Sequence, residues 1–409
     1  MGDKQSLINS LRREIMEDMA FGDELSDEQI QELISHYLLR KQEGSSFSLQ
    51  ERKRIGREIF YSLRKLDVLQ ELLEDESVTE IMVNGPTHIF IEQGGRMKRL
   101  STEFESGEKL LQVIQQIVAG CNRTVNEASP IVDARLPGGS RVNVVLYPIA
   151  LNGPILTIRR FSASPMTMDR LKEYGAVSQE VIYFLQKAVK ARYNILVSGG
   201  TGSGKTTFLN ALSQYIPADE RVITIEDSAE LQLWSVENLI RMETRNANLE
   251  GGKVITIRDL IKASLRMRPD RIIVGEVRGA EALDMIGSAM NCGHDGSMST
   301  AHANSAADML IRLETMILMG VELPVSAIRR QIASGIDLIV HLGRLRDKTR
   351  KVLEITEISG MKGDQIILNP LYRFQEAGEE KEEKIKGGLV SVGQLINRYK
   401  MESAGISYP

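Results

Sequence analysis

NILVSGGTGSGKTTFLNALSQY, residues 194–215, is the stretch whose reading decides the fold class. Asn194 to Ser198 form a short apolar run that reads as a buried strand, and FLNALSQY is helix-competent. Between them Gly199, Gly200, Thr201, Gly202, Ser203, Gly204, Lys205 and Thr206 fit GxxxxGK[ST] at a strand-to-helix junction. Glycines let backbone N–H groups curl around α- and β-phosphates, and the helix N-terminus adds its positive dipole. Lys205 reaches the β/γ-phosphates, and Thr206 offers a hydroxyl to Mg²⁺. The pattern predicts a phosphate-binding loop on an α/β domain.

Outward from that loop, the apolar runs VITI (222–225), RIIV (271–274) and LIVHL (338–342) alternate with helical segments. Such alternation predicts a mostly parallel sheet covered on both faces. After Leu345 the texture becomes hairpin-like: KVLEITEIS, a turn at Met361-Lys362-Gly363, then QIILNPLYRF. EAGEEKEEKIKGG (376–388) reads as a solvated, charged surface segment.

Chemistry-bearing residues fall at the ends of these runs. RVITIEDSAEL places Glu226, Asp227 and Glu230 just beyond a strand, where carboxylates orient Mg²⁺ or water; Glu226 joins Thr206 as a candidate magnesium ligand. RIIVGE has the form of a Walker B strand, except that Gly275 stands where an Asp would hold the magnesium shell. Glu276 is therefore the candidate for polarising the attacking water. NCGHDGSMSTAHANS (291–305) predicts a tight loop, then a strand at 297–301, and holds His294 and His302. Two histidines eight apart do not match zinc spacing, so a γ-phosphate contact or sensor is the functional reading. His36, His88 and His341 lie in helix or strand patterns and read as structural. Arg135 and Arg141 flank a Pro-Gly-Gly turn, and Arg159 and Arg160 end the run TIRRF. A site completed from a second domain or subunit needs such charges facing the phosphates. Arg135, Arg159 and Arg160 are the leading candidates, ahead of Arg241, Arg245, Arg266 and Arg268.

Upstream of 179 the chain divides three ways. Residues 1–68 read as a helical arm, with Ile30, Leu33, Ile34, Tyr37 and Leu38 on one stripe and a capping box from Ser26 to Gln29. Glu43 to Ser48 read as a loop. Residues 69–161 read as a small α+β domain, with strand signals around Glu80–Val83 and His88–Glu92 and a helix carrying Leu110, Leu111, Ile114, Ile117 and Val118. Residues 162–178 read as a linker, and 179–409 as the α/β domain.

Composition narrows the function classes. Of 409 residues 42% are apolar and 26% charged, a globular balance, and 51 Lys plus Arg against 55 Asp plus Glu give a formal charge of −4. That balance argues against a general electrostatic grip on nucleic acid. Cys121 and Cys292 make no disulfide framework, which suits a reducing compartment. The charged N-terminus lacks a signal-peptide core, and no apolar run approaches the ~18 residues of a membrane span. The expectation is a soluble cytoplasmic protein whose membrane role, if any, comes through partners.

SVTEIMVNGP, ASPIVDARLPGGSRVN, GPILTIRRF, GGTGSGKTT, ITIEDSAEL, ETRNANLEG, LRMRPDRIIVGEVRGAEALDM and GHDGSMSTAHANS, in this order, resemble the CpaF/Tad-type branch of the type II/IV secretion ATPases over about residues 75–345. The family's Walker A falls on Gly199 to Thr207, with Thr207 its last residue; its Asp box on Glu226 to Glu230; its atypical Walker B ends at Glu276; its His box holds His294 and His302. The resemblance implies a RecA-like ATPase domain joined flexibly to an N-terminal domain. It implies a homo-hexamer using ATP and Mg²⁺ to power pilus assembly, retraction or secretion. The implied partners are polytopic platform proteins at the cytoplasmic face of the inner membrane. Cys292 departs from the threonine expected there, and residues 1–68 carry only a loose likeness. The alternatives are a RecA-like nucleic-acid translocase, disfavoured by the acidic balance, and a nucleotide-gated scaffold that does not hydrolyse, disfavoured by Lys205, Thr206 and Glu276.

Overall fold

A computed structural model describes residues 10–15, 25–40, 48–121, 123–136, 138–160, 166–245, 253–291, 293–377 and 385–407. Cys292, all but Ser48 of the loop expected over Glu43 to Ser48, and most of the charged segment after 377 lie outside the described residues. The chain forms two units, Met1–Ala163 and Ser164–Pro409.

In the first unit the helices Asp27–Arg40 and Leu49–Arg64 bury Ile30, Ile34 and Leu38 against Ile55, Ile59 and Phe60. Gln29 N donates to Ser26 Oγ at 3.3 Å and Ser26 N to Gln29 Oε1 at 2.7 Å, the reciprocal capping that the sequence pattern predicts. Six strands follow: β1 (Val78–Asn84), β2 (Ile89–Gln93), β3 (Arg96–Arg99), β4 (Ile131–Arg135), β5 (Arg141–Val145) and β6 (Ile155–Arg159). They form an antiparallel sheet in the order β3-β2-β1-β6-β5-β4. One face carries Ile81, Val83, Val142, Val144, Leu156 and Ile158 onto the helix Gly107–Ala119, whose Leu110, Ile114, Ile117 and Val118 are buried. Edge strand β4 is not evident from the sequence, because none of its side chains is fully buried and only Val132 and Ala134 pack on the core, each partly covered.

The second unit is built on a nine-stranded sheet: β7 (Ile195–Gly199), β8 (Val222–Glu226), β9 (Leu239–Glu243), β10 (Arg271–Val277), β11 (Met298–Ala301), β12 (Leu338–Arg344), β13 (Arg350–Lys362), β14 (Gln365–Glu376) and β15 (Gly387–Ser391). The order is β15-β14-β13-β12-β7-β11-β10-β8-β9. From β12 to β9 all neighbours are parallel, and β13 to β15 add an antiparallel flank. Period-2 alternation sends Ile195, Val197, Ile273 and Val340 to one core, Leu196, Ile272, Val274 and Ile339 to the other. Both faces are therefore covered, as a parallel sheet requires.

The 162–178 stretch differs from a plain linker. It contains a helix, Met168–Glu173, capped by Thr167 and anchored by the fully buried Met168. A six-residue helix is too short to show helical periodicity, and Pro165 and Gly175 flank it.

Candidate active site

The parallel strands end on one side of the sheet, and that carboxyl edge gathers the functional side chains. β7 runs straight into the phosphate-loop sequence, and the helix Lys205–Ser213 follows. The strand-to-loop turn demands glycine at 199: φ is +155°, and a Cβ there would lie 2.4 Å from Leu342 O and 2.6 Å from Ser203 Oγ. Ser203 Oγ is buried with no hydrogen-bond partner, a polar atom turned into the loop with capacity to spare. That suits a cradle for phosphate.

Lys205 is only 7% exposed. Its Nζ donates to Gly199 O and Gly200 O, both at 3.2 Å, and lies 3.2 Å from His302 Nδ1. Burial, against the opposing pull of Glu276, holds the Lys205 pKa below its ordinary value. An ammonium only donates, so we assign the His302 ring proton to Nε2, which lies 2.8 Å from Glu276 Oε1. His302 is likewise depressed, first by burial and then by the Lys205 charge, which keeps the ring neutral.

Glu276 sits where the β10–β11 ladder slips by one residue between Val274 and Val277. Such a bulge re-aims a side chain. Thr300 Oγ1 fastens it by donating to Gly275 O at 2.7 Å. Arg278 grips Glu276 Oε2 through Nη2 at 2.7 Å and Nε at 3.0 Å. Lys205, His302, Glu276 and Arg278 thus form one continuous chain from three strand ends.

Glu226 is 3% exposed at the end of β8, three strands from β7 or roughly 14 Å at normal strand spacing. Its Oε2 accepts from Glu230 N at 2.6 Å and Leu231 N at 2.8 Å, while Oε1 is buried without a partner. The carboxylate shapes the 227–231 loop and stands well away from Thr206, contrary to the expected shared magnesium shell. Gly275 is explained by the same side chain, since a Cβ at 275 would come within 2.8 Å of Glu226 Cγ. Among the described residues no cluster of three His, Cys, Asp or Glu forms a metal cage. Magnesium here would be held by Thr206 and substrate phosphates, the usual arrangement for that ion.

Burial raises the Glu226 pKa from 4.5 to about 7. Between those values the folded state keeps a proton that the unfolded chain releases, so stability falls as pH rises, by roughly 3 kcal/mol in all. Glu226→Gln removes that penalty. Its Tm relative to wild type should rise by about 5 °C between pH 5 and pH 8. A pH-independent difference in differential scanning calorimetry would contradict this.

Other expected residues lie elsewhere. His294 precedes β11, at the amino edge, with Nδ1 3.1 Å from Pro269 O; a whole strand separates it from His302. Arg135, Arg159 and Arg160 belong to the first unit. Arg135 Nε donates to Gly139 O at 3.2 Å, and Arg159 Nε lies 3.5 Å from Glu80 Oε1. Arg160 donates to the carbonyls of Leu72, Asp75 and Val78, a tie within its own unit. Arg241 and Arg245 bond the carbonyls of Leu231 and Lys253. Two arginines that the sequence does not single out do reach the site: Arg278, and Arg350 of β13, whose Nε donates to Gly202 O at 2.8 Å.

The profile of type II/IV secretion system proteins matches residues 62–390. The chain belongs to the type II/IV secretion system protein family. It is an ATP hydrolase of the P-loop class, with the RecA-like α/β fold of secretion ATPases. It is similar to the conjugal transfer protein TrbB of Rhizobium radiobacter, 33% identical over 309 residues, 73% of this chain and 89% of that one. It is also similar to the type IV secretion system protein VirB11 of Bartonella henselae, 30% identical over 336 residues, covering 72% and 92%. Among solved structures, the pilus retraction motor PilT with bound ADP aligns over 83% of this chain and 86% of its own at 18% identity and TM-score 0.52. The ATPase DotB of Yersinia pseudotuberculosis aligns over 76% and 80% at 18% identity and TM-score 0.54; both likenesses concern the fold. Among the described residues no helix of this family member is long and apolar enough to cross a membrane.

Proposed function

We propose that this chain is the hexameric motor of a Tad/Flp-type or related pilus, or of a type II/IV secretion machine, driving polytopic inner-membrane platform proteins from the cytoplasmic side. The observation that carries the reading is the contact chain Lys205–His302–Glu276 beside the phosphate loop. Gly199 to Thr206 bind the triphosphate, with Thr207 next along the helix. Lys205 neutralises the β- and γ-phosphates, and Thr206 offers its hydroxyl to Mg²⁺, which when bound supplies further neutralising charge. Glu276 accepts the proton of the water that attacks the γ-phosphorus, and ADP leaves. His302 holds Glu276 in register with Lys205. Glu226 and Glu230 shape the neighbouring acidic loop. We assign Arg135, Arg159 and Arg160 to completing the site in the assembled ring, each exchanging a present partner of its own unit for phosphate.

Turnover per subunit should therefore rise steeply with protein concentration as rings assemble, and rise again with detergent-solubilised platform proteins. Full activity from a dilute monomer, or stimulation by single-stranded DNA instead, would overturn the reading.

A further inference from the structure

Arg278 follows Glu276 by two residues at the end of β10. Its side chain is 65% exposed, yet its guanidinium makes a two-pronged contact with one carboxylate oxygen, Glu276 Oε2, at 2.7 and 3.0 Å. A general base must offer a lone pair to water. Here two N–H groups occupy Oε2, while Oε1 is buried without a hydrogen-bond partner, 2.8 Å from His302 Nε2, so Oε2 is the oxygen that water could reach and Arg278 holds it.

A second anionic site lies beside the clamp. β8 runs parallel to β10 in a register that pairs Ile225 with Val274 and brings Glu226 Cγ against Gly275. The same register carries Asp227 to the level of Glu276, and Glu230 follows in the loop whose amides Glu226 holds. Asp227 is itself positioned, accepting from Thr244 Oγ1 at 2.8 Å. The Arg278 pKa is raised above its ordinary value, first by the Glu276 hydrogen bond and then by the charges of Glu276, Asp227 and Glu230.

We propose that Arg278 is a positioning residue for hydrolysis: it clamps Glu276 closed, and transfer of its guanidinium to Asp227 and Glu230 opens the carboxylate to water. The inference rests on Glu276 as the base. It gives the acidic loop after β8 a task that neither magnesium binding nor proton transfer requires. It also confines the switch to one flexible side chain with two anionic partners.

The test uses the full chain with Mg²⁺ and ATP, reading kcat, KM and affinity for a non-hydrolysable ATP analogue. An exposed ion pair of this kind is worth up to ~1 kcal/mol, so Arg278→Gln should raise kcat about two- to fivefold. KM and analogue affinity should stay unchanged. Arg278→Lys, with charge but no fork, should fall between that variant and wild type. Asp227→Asn combined with Glu230→Gln should lower kcat by a similar factor, because the guanidinium then has only Glu276. In the Arg278→Gln background that loss should vanish. A fall in kcat on Arg278→Gln, or an undiminished loss in that background, would overturn the clamp. Glu276→Gln run alongside separates the two ideas: if it turns over near the wild-type rate, the base assignment itself is wrong.

Discussion

Lys205→Ala abolishes ATP hydrolysis and leaves the fold standing. The lost ammonium sits within hydrogen-bond reach of two loop carbonyls and His302, at the point where β- and γ-phosphate charge must be neutralised. Charge stabilisation of this kind is worth several kcal/mol in the transition state, so turnover should drop at least ~10³-fold. Nucleotide affinity should fall with it. The surrounding core, Phe208, Leu209 and Leu212 beneath the helix, does not depend on Lys205, so the thermal unfolding profile should match that of the wild type within a few degrees. Steady-state kinetics, nucleotide titration and calorimetry on the same preparation check all three. Normal turnover with unchanged affinity would remove the phosphate-loop assignment.

Glu276→Gln separates binding from chemistry. Gln keeps the shape and one acceptor oxygen, which can still take the Arg278 N–H groups, but its NH2 accepts nothing and it cannot take up a proton. Loss of a general base typically costs ~10² to 10⁴ in rate, and kcat should fall by that range. ATP affinity should hold within a few-fold, because the loop amides, Lys205 and Thr206 are untouched. The rivals are Glu226 and Glu230. Glu226 has one oxygen on two backbone amides and lies three strands from β7, so Glu226→Gln and Glu230→Gln should each turn over within about tenfold of wild type. If either of those binds ATP without hydrolysing it while Glu276→Gln stays active, the base moves to the end of β8.

Much of the second unit was legible because its signals are contiguous. Five buried residues followed by GGTGSGKT specify strand, loop and helix in one reading, and VITI, RIIV and LIVHL are each short, apolar and continuous. Strands that bury one face or none carry no such mark: β9, with its half-exposed residues, and the glycine-led β15 emerge only from pairing. The site divides the same way. Glu276 and His302 end apolar strands, and strand ends are where parallel sheets do chemistry. His294 looks equivalent by its company of glycines and small residues. Yet the strand Met298–Ala301 stands between the two histidines, which puts them at opposite edges of the sheet.

Arg278 and Arg350 illustrate what local reading cannot reach. An arginine two residues past a carboxylate looks like any solvated strand end. Its meaning comes from the bulge that turns Glu276 toward it and from the acidic loop on the adjacent strand. Arg350 meets Gly202 across 148 positions of sequence, through the β12–β13 hairpin. Gly275, which in sequence is merely a missing aspartate, is the space that the buried Glu226 side chain occupies.

The central claim, that Glu276 activates the water for ATP bound at Lys205 and Thr206, is tested most directly by the nucleotide that the Glu276→Gln protein holds. The variant is incubated with Mg²⁺ and excess ATP, freed of unbound nucleotide, quenched in acid, and its bound nucleotide separated by chromatography. Intact ATP, retained for many wild-type turnover times, is the result expected. Bound ADP formed at the wild-type rate would contradict it.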